Sequence, residues 1–219
     1  MTSAIPVASL LGGLALVGVL AGQDPDPRAI IADAAARYQA ITAFRAEFHQ
    51  ILADSMIGTY DSRGQLVQAG EARLSMRFSD PDGDAIVMDG TWVWVYTPST
   101  TPGQVIRFKI PEDPTFGPNV LAWILTKPTE RYRMRYLRAD AVAGRGVDVV
   151  ALAPMDRSLP FVDAVVWIDQ YDHLPRRLEI REKGGQTRTL ILSGIEVNRR
   201  APADQFQFVP PNGVRVIDQ

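Results

Sequence analysis

The sequence predicts a mainly β fold: one long antiparallel meander, strongly curved or nearly closed, with two helical pieces. Three observations predict it. Segment after segment alternates apolar and polar side chains with a period of two, the mark of strands with one wet and one dry face. Turn signals separate those segments: Asp82-Gly83, Asp89-Gly90, Gly144-Arg145-Gly146, Asp172-His173 and Gly184-Gly185. Helical spacing or a compact apolar run breaks the pattern at two places, after Asp26 and after Pro118.

Residues 1–22 read as an export signal. No charged residue occurs from Ile5 to Gly22, Leu10 to Leu20 forms an apolar core, and the small residues Ala21 and Gly22 precede a polar stretch. The segment before the apolar core has no Lys or Arg, so its positive charge is the terminal amine. Residues 23–219 then form a single domain. Asp26 caps a first helix and Pro27 fits its first turn. Ile30, Ala34, Tyr38 and Ile41 fall near helical spacing, with Arg28, Asp33 and Arg37 on the other side. Strands follow. Phe44, Ala46 and Phe48 oppose Arg45, Glu47 and His49; Leu74, Met76 and Phe78 oppose Arg73, Ser75 and Arg77. Tyr132, Met134 and Tyr136 oppose Arg131, Arg133 and Arg135; Leu178 and Ile180 oppose Arg177, Glu179 and Arg181. Further strands are predicted at 85–89, 91–97, 105–110, 147–152, 163–169 and 187–197. Between Pro118 and Pro128, the run Val120, Leu121, Trp123, Ile124 and Leu125 suits a short apolar helix. Near the end Phe206 and Phe208 alternate onto one face, Pro210 and Pro211 bend the chain, Asn212-Gly213 turns it, and Val214 and Val216 resume as a short strand.

A net charge of −2 argues against a polyanion-binding surface, and nucleic acid is not an expected partner. The absence of Cys excludes a disulfide framework, thiolate metal sites, a cysteine nucleophile and a lipid-modified N-terminal Cys. His49 on a wet strand face and His173 in a turn lack ligand-spaced partners. Asp80 to Asp84 resembles the start of a calcium loop, but Thr91 stands where the bidentate acid would be. No Gly-x-Ser-x-Gly elbow and no phosphate-cradling loop is present. Asp163, Asp169 and Glu179 read as solvated acids on wet faces. The sequence thus predicts no catalytic residue, metal or cofactor. The Arg131, Arg133, Arg135 and Arg138 stripe reads as a solvated face, with contact to lipid headgroups or an acidic partner as its functional alternative.

The dry face is expected to carry Phe44, Phe48, Met76, Phe78, Met88, Trp92, Trp94, Tyr96, Ile106 and Phe108. These side chains can form an ordinary core under the helices or line a cavity that the helices close. Alternation alone does not choose.

Spacing adds to this. Phe44, Phe48 and Gln50 form an aromatic-x3-aromatic-x-Gln pattern after Tyr38. Gly64-Gln65-Leu66 and Pro81 follow. Asp89-Gly90 then leads through Trp94 and Tyr96 to Pro98, and Phe206-x-Phe208-x-Pro210-Pro211-x-Gly213-Val214-x-Val216 closes the series. In order and at these separations they resemble the LolA family, periplasmic carriers of outer-membrane lipoproteins. Gly64 stands near the start of the family's second strand, and residues 131–162 match in strand pattern only. The resemblance implies an incomplete, unclosed antiparallel β-barrel with a helical lid over an apolar cavity, monomeric, and without covalent chemistry. It implies acylated lipoproteins as ligands, an inner-membrane lipoprotein-releasing ABC transporter as donor and an outer-membrane lipoprotein receptor as acceptor. The acyl-chain wall would comprise Phe44, Phe48, Met76, Phe78, Met88, Trp92, Trp94, Tyr96 and Phe108, and the lid Ile30, Ala34, Leu121, Trp123 and Ile124. One position departs: where the family typically has an Arg-Pro pair whose Arg bonds lid carbonyls, this chain has Gly70-Glu71. A periplasmic sensor or binding module on the same fold, for another amphiphile or a protein partner, is the alternative that this departure keeps open.

Overall fold

A computed structural model describes residues 24–56 and 58–219; the expected export signal at 1–22 lies outside them. Twelve strands form one sheet: β1 (Ala43–Asp54), β2 (Gly58–Ala69), β3 (Arg73–Asp80), β4 (Asp82–Asp89), β5 (Trp92–Tyr96), β6 (Gln104–Lys109), β7 (Tyr132–Val142), β8 (Arg145–Pro154), β9 (Phe161–Asp169), β10 (Pro175–Glu182), β11 (Thr187–Val197) and β12 (Arg215–Asp218). Their spatial order is β12-β6-β5-β4-β3-β2-β1-β11-β10-β9-β8-β7, so β12 and β7 are free edges and the sheet does not close. Every pairing is antiparallel except β12 on β6. The mainly β architecture expected from the alternation, and the unclosed antiparallel sheet that the resemblance implies, are therefore the ones observed.

Two meanders meet at a seam. β1 to β6 run outward in one direction and β11 back to β7 in the other, and β1 pairs with β11 from Phe44↔Val197 to Ala53↔Thr187. Helix α1 (Pro27–Gln39), the short helices α2 (Val120–Leu125) and α3 (Pro128–Arg131), and a 3-10 turn at Pro114–Phe116 complete this side of the fold. Asp26 caps α1 as expected, accepting from the Arg28 backbone N–H at 2.9 Å. The buried stripe of α1 is Ile31, Ala34 and Ala35, one position round from the Ile30 register, which leaves Ile30 half-buried at its border. In α2 every side chain is buried, so the stretch carries no polar face to read. Asn119 caps it, its Oδ1 accepting from the Leu121 and Ala122 N–H groups at 3.2 and 3.4 Å.

Gly64 lies mid-strand in β2, not at its start. The β2–β3 register shifts between Arg63 and Gly64, and a Cβ at 64 would stand 2.1 Å from the Arg77 carbonyl oxygen. Glycine lets the two backbones approach there.

One dry layer lies on the concave face. Phe44, Ala46, Phe48, Leu66, Leu74, Met76, Met88 and Val93 pack against Ile31, Ala34, Leu121, Trp123 and Ile124. A second layer lies on the convex face, where Ala85, Val87, Trp94 and Val105 pack with Trp92, Tyr96, Phe208 and Val214. The C-terminal segment covers that second layer. Phe206 ends a 3-10 turn (Ala203–Phe206), not the extended segment expected, and is buried; Phe208 sits 5.7 Å from Trp94 and 5.6 Å from Tyr96 by ring centroids.

This corrects three residues of the expected wall. Trp92, Trp94 and Tyr96 point to the convex side, and Val93 and Val95 point inward, opposite Phe108 and Ile106. Polar partners favour that choice. The Trp94 indole N–H donates to Asp89 Oδ2 at 2.8 Å, and Arg107 and Lys109 lie over the Trp92 ring at 4.4 and 3.6 Å. A buried indole N–H without an acceptor is costly, and on this face that of Trp94 has one.

Asp169 is a second correction. It is not a solvated acid: it is 1% exposed in the β9–β10 hairpin. Arg145 grips it through Nε and, at 3.1 Å, through Nη2; Arg176 Nε donates at 3.0 Å; the Tyr171 and Asp172 N–H groups donate at 2.9 and 3.2 Å. Burial pushes its carboxyl up, but these bonds outweigh burial and hold it well below the ordinary 3.8. Asp163 and Glu179 do lie on accessible faces, paired with Arg181 and Arg177.

Candidate functional site

The concave face and its helices form the candidate site. Of the expected wall, Phe44, Phe48, Met76 and Met88 are fully buried there, and Phe78 and Phe108 line its border. Of the expected lid, Ala34, Leu121, Trp123 and Ile124 belong to the same buried cluster as that wall. In this state the helices themselves fill the space over this part of the sheet.

Two sets of contacts hold the helices down. Toward β7–β9, the Trp123 ring stacks on Phe161 at 6.0 Å with 4° between planes, its indole N–H donates to the Gly117 carbonyl at 2.7 Å, and the Tyr132 hydroxyl donates to the Trp123 carbonyl. These are apolar packing plus satisfied polar tips, worth about 1.5–3 kcal/mol for each large side chain buried. Arg131 Nη2 also holds Asp113, in the loop before α2, at 2.9 Å.

Toward β2 the contact is polar. The Tyr38 hydroxyl of α1 donates to Gln68 Oε1 at 2.6 Å. The Asn119 amide, at the start of α2, donates to Tyr38 Oη at 3.0 Å and to Gln68 Oε1 at 3.2 Å. Gln68 Nε2 in turn donates to the Gly70 carbonyl at 2.9 Å. Three neutral side chains thus tie both lid helices to the sheet rim beside Gly70-Glu71. Burial, the largest influence, pushes the Tyr38 hydroxyl up to about 12, so it keeps its proton. Sequence reasoning missed this network. Its available signal was parity: Gln68 shares the inward face of β2 with Leu66, where a polar side chain needs a partner.

The Arg131–Arg138 stripe does not act as one patch. Arg131 holds Asp113, Arg138 holds Asp140 at 2.9 Å, and Arg133 and Arg135 stand exposed on edge strand β7, where charge discourages pairing with other chains. His49 meets Asp61 at 2.6 Å on the accessible face, and His173 sits in the β9–β10 turn with φ +57°. Asp84 accepts from the Ser99 N–H and hydroxyl, closing a turn. Among the described residues no group of three or more His, Asp or Glu could hold a metal ion.

The concave, apolar face of this open sheet is thus packed with helices and with no second sheet. The model of one family, described as "Outer membrane lipoprotein carrier protein LolA", matches residues 39–209. The chain belongs to the LolA family. Curated LolA relatives include an outer-membrane lipoprotein carrier protein of Alkalilimnicola ehrlichii, 27% identical over 94% of this chain and 89% of that protein. Another, of Nitrosospira multiformis, is 27% identical over 80% of this chain and 82% of that protein. The crystal structure of an uncharacterized conserved protein from Thermus thermophilus shares the fold, with a TM-score of 0.56 at 12% identity over 88% of this chain and 98% of that chain. The Tyr38–Gln68–Asn119 network lies beside Gly70-Glu71.

Proposed function

We propose that this protein is a periplasmic carrier without catalytic chemistry: it shields the acyl chains of lipoproteins on its concave face and moves them from the inner to the outer membrane. Residues 1–22 would be its export signal and 23–219 its monomeric carrier domain. Its partners in this reading are acylated lipoproteins, an inner-membrane lipoprotein-releasing ABC transporter and an outer-membrane lipoprotein receptor.

The observation that carries the reading is that the apolar concave face is covered by helices and not by a second sheet. A helix docked by side chains can lift without breaking a strand ladder. Hiding acyl chains is worth about 0.8 kcal/mol per CH₂, so a free lipid anchor does not cross water unaided. The lid occupies the same apolar surface, competes with cargo, and so keeps release within reach.

The test is native mass spectrometry of the protein with a triacylated lipoprotein, exchanged out of detergent. A one-to-one complex that keeps the lipoprotein soluble is the expected result; failure to hold any acylated ligand with the fold intact would sink the reading. Tyr38→Phe refines it by removing the central hydroxyl of the rim network and leaving no charge behind. Stability is expected to fall by about 1 kcal/mol, the net weight of one or two neutral hydrogen bonds. Affinity for the lipoprotein should rise about 2–10-fold as the closed lid loses its advantage. An equal loss of stability with unchanged affinity would make the network a plain structural contact.

A further inference from the structure

The helices do not fill the concave face along its whole length. They cover the end at Phe44, Leu66, Leu74 and Met88. At the other end of the same strands a cavity of about 410 Å³ remains, lined by Gln50, Leu52, Tyr60, Phe78, Ile86 and Arg188 among others. The gaps at the lid rim are about 120 and 180 Å³. Small-ligand pockets run from about 300 to 1,000 Å³, so this cavity has the size for a ligand and the two rim gaps do not. Phe48 and Phe78, edge to face at 5.1 Å, separate it from the lid-filled part.

Its chemistry is divided. Leu52, Phe78 and Ile86 supply an apolar floor. One wall is polar: Gln50, 6% exposed, donates through Nε2 to Ser62 Oγ at 3.3 Å and accepts at Oε1 from Arg188 Nη1 at 2.9 Å. Arg188 Nε donates to Glu182 Oε1 at 2.8 Å. Its Nη2 makes no hydrogen bond among the described residues. The guanidinium charge is already balanced by Glu182. A carboxylate brought to Nη2 would add a second negative charge beside Glu182, whereas a neutral carbonyl adds an acceptor alone.

We propose that this cavity binds a single fatty-acyl ester while the lid stays closed: the chain lies along Leu52, Phe78 and Ile86, and the ester carbonyl accepts from Arg188 Nη2. The inference rests on the acyl-chain reading above and adds a ligand class, neutral monoacyl esters over free fatty acids. It also gives the protein a foothold for one chain of a multiply acylated ligand before the helices move.

Titration of the full chain with 1-palmitoylglycerol, with palmitate and with a triacylated lipopeptide tests it. One-to-one binding of 1-palmitoylglycerol is expected, about 3–10-fold tighter than palmitate, the weight of one hydrogen bond. Hydrogen exchange in α1 and α2 should not change on that binding. Leu52→Trp, which fills the floor, should weaken it about 10-fold or more. Arg188→Met with Glu182→Gln, which removes both charges together, should abolish the preference for ester over acid. Binding of the triacylated lipopeptide with none of 1-palmitoylglycerol overturns the inference and leaves the carrier reading standing. So does a preference for palmitate, or indifference to both variants in proteins that fold. Binding of neither lipid overturns both.

Discussion

Asp169→Ala is expected to cost about 3–5 kcal/mol of folding free energy, because it takes from Arg145 and Arg176 the buried carboxylate they share and leaves them Asp172 alone. Arg176 is 7% exposed and loses its closest buried acceptor; Arg145 is nearly half-exposed and recovers part of its loss from water, which favours the lower end of that range. Two hairpin N–H groups also lose their acceptor. Urea denaturation at pH 7 measures the effect, and a loss below about 1 kcal/mol would mean the cluster behaves as solvated surface. The pH dependence follows from the lowered carboxyl. In the unfolded chain Asp169 titrates near its ordinary 3.8; in the folded chain it titrates lower. Its contribution is therefore complete above 3.8 and is lost as the pH falls toward the folded value. The stability curves of wild type and variant should converge in acid and stay apart near neutrality.

Phe48→Glu carries the second large effect and runs the other way with pH. Phe48 is 3% exposed, sits on Phe78, and faces the lid on the concave side. A carboxylate there has no partner, so the folded chain holds it protonated and its pKa rises. The variant is expected to lose about 3 kcal/mol or more at pH 7, and to regain stability as the pH falls through the raised value. Phe48→Leu, a nearly volume-conserving change, should cost under about 1.5 kcal/mol and retain binding. The readouts are urea denaturation from about pH 5 to 8 and lipoprotein retention. A folded Phe48→Glu protein that keeps acyl chains as well as wild type would remove Phe48 from the wall.

The two corrections show where the sequence stops being legible. Most strands announce themselves because one face is wet, and the concave wall at Phe44, Phe48, Met76 and Met88 follows from that alternation. In β5 the run from Trp92 to Tyr96 is apolar at both parities, because both faces are covered: the concave one by the fold interior, the convex one by Phe208. Period two is silent in a strand buried on both faces. Size then suggests the aromatics as the interior, and hydrogen-bonding partners decide against it. Asp169 was hidden differently. Its partners Arg145 and Arg176 lie on other strands, and an acid in a hairpin looks the same whether or not two guanidiniums converge on it. The polar wall of the open cavity was partly readable, since Gln50 shares parity with Phe44 and Phe48 on a dry face. Its partner Arg188 lies across the β1–β11 seam, far away in sequence.

The rim network has a consequence for how the lid responds to its surroundings. Its members, a phenol, a glutamine and an asparagine, carry no net charge, and the phenol keeps its proton to about pH 12. A clasp built on a cation would weaken as counter-ions crowd in, since exposed charges are screened over about 8 Å in physiological salt. A neutral clasp has nothing for those ions to screen. Unlike the Arg131–Asp113 pair beside α2, this contact is thereby insensitive to ionic strength and to acidity across the range that cells meet. Only a ligand that competes for the apolar face, or a partner that engages these amides directly, has leverage on it.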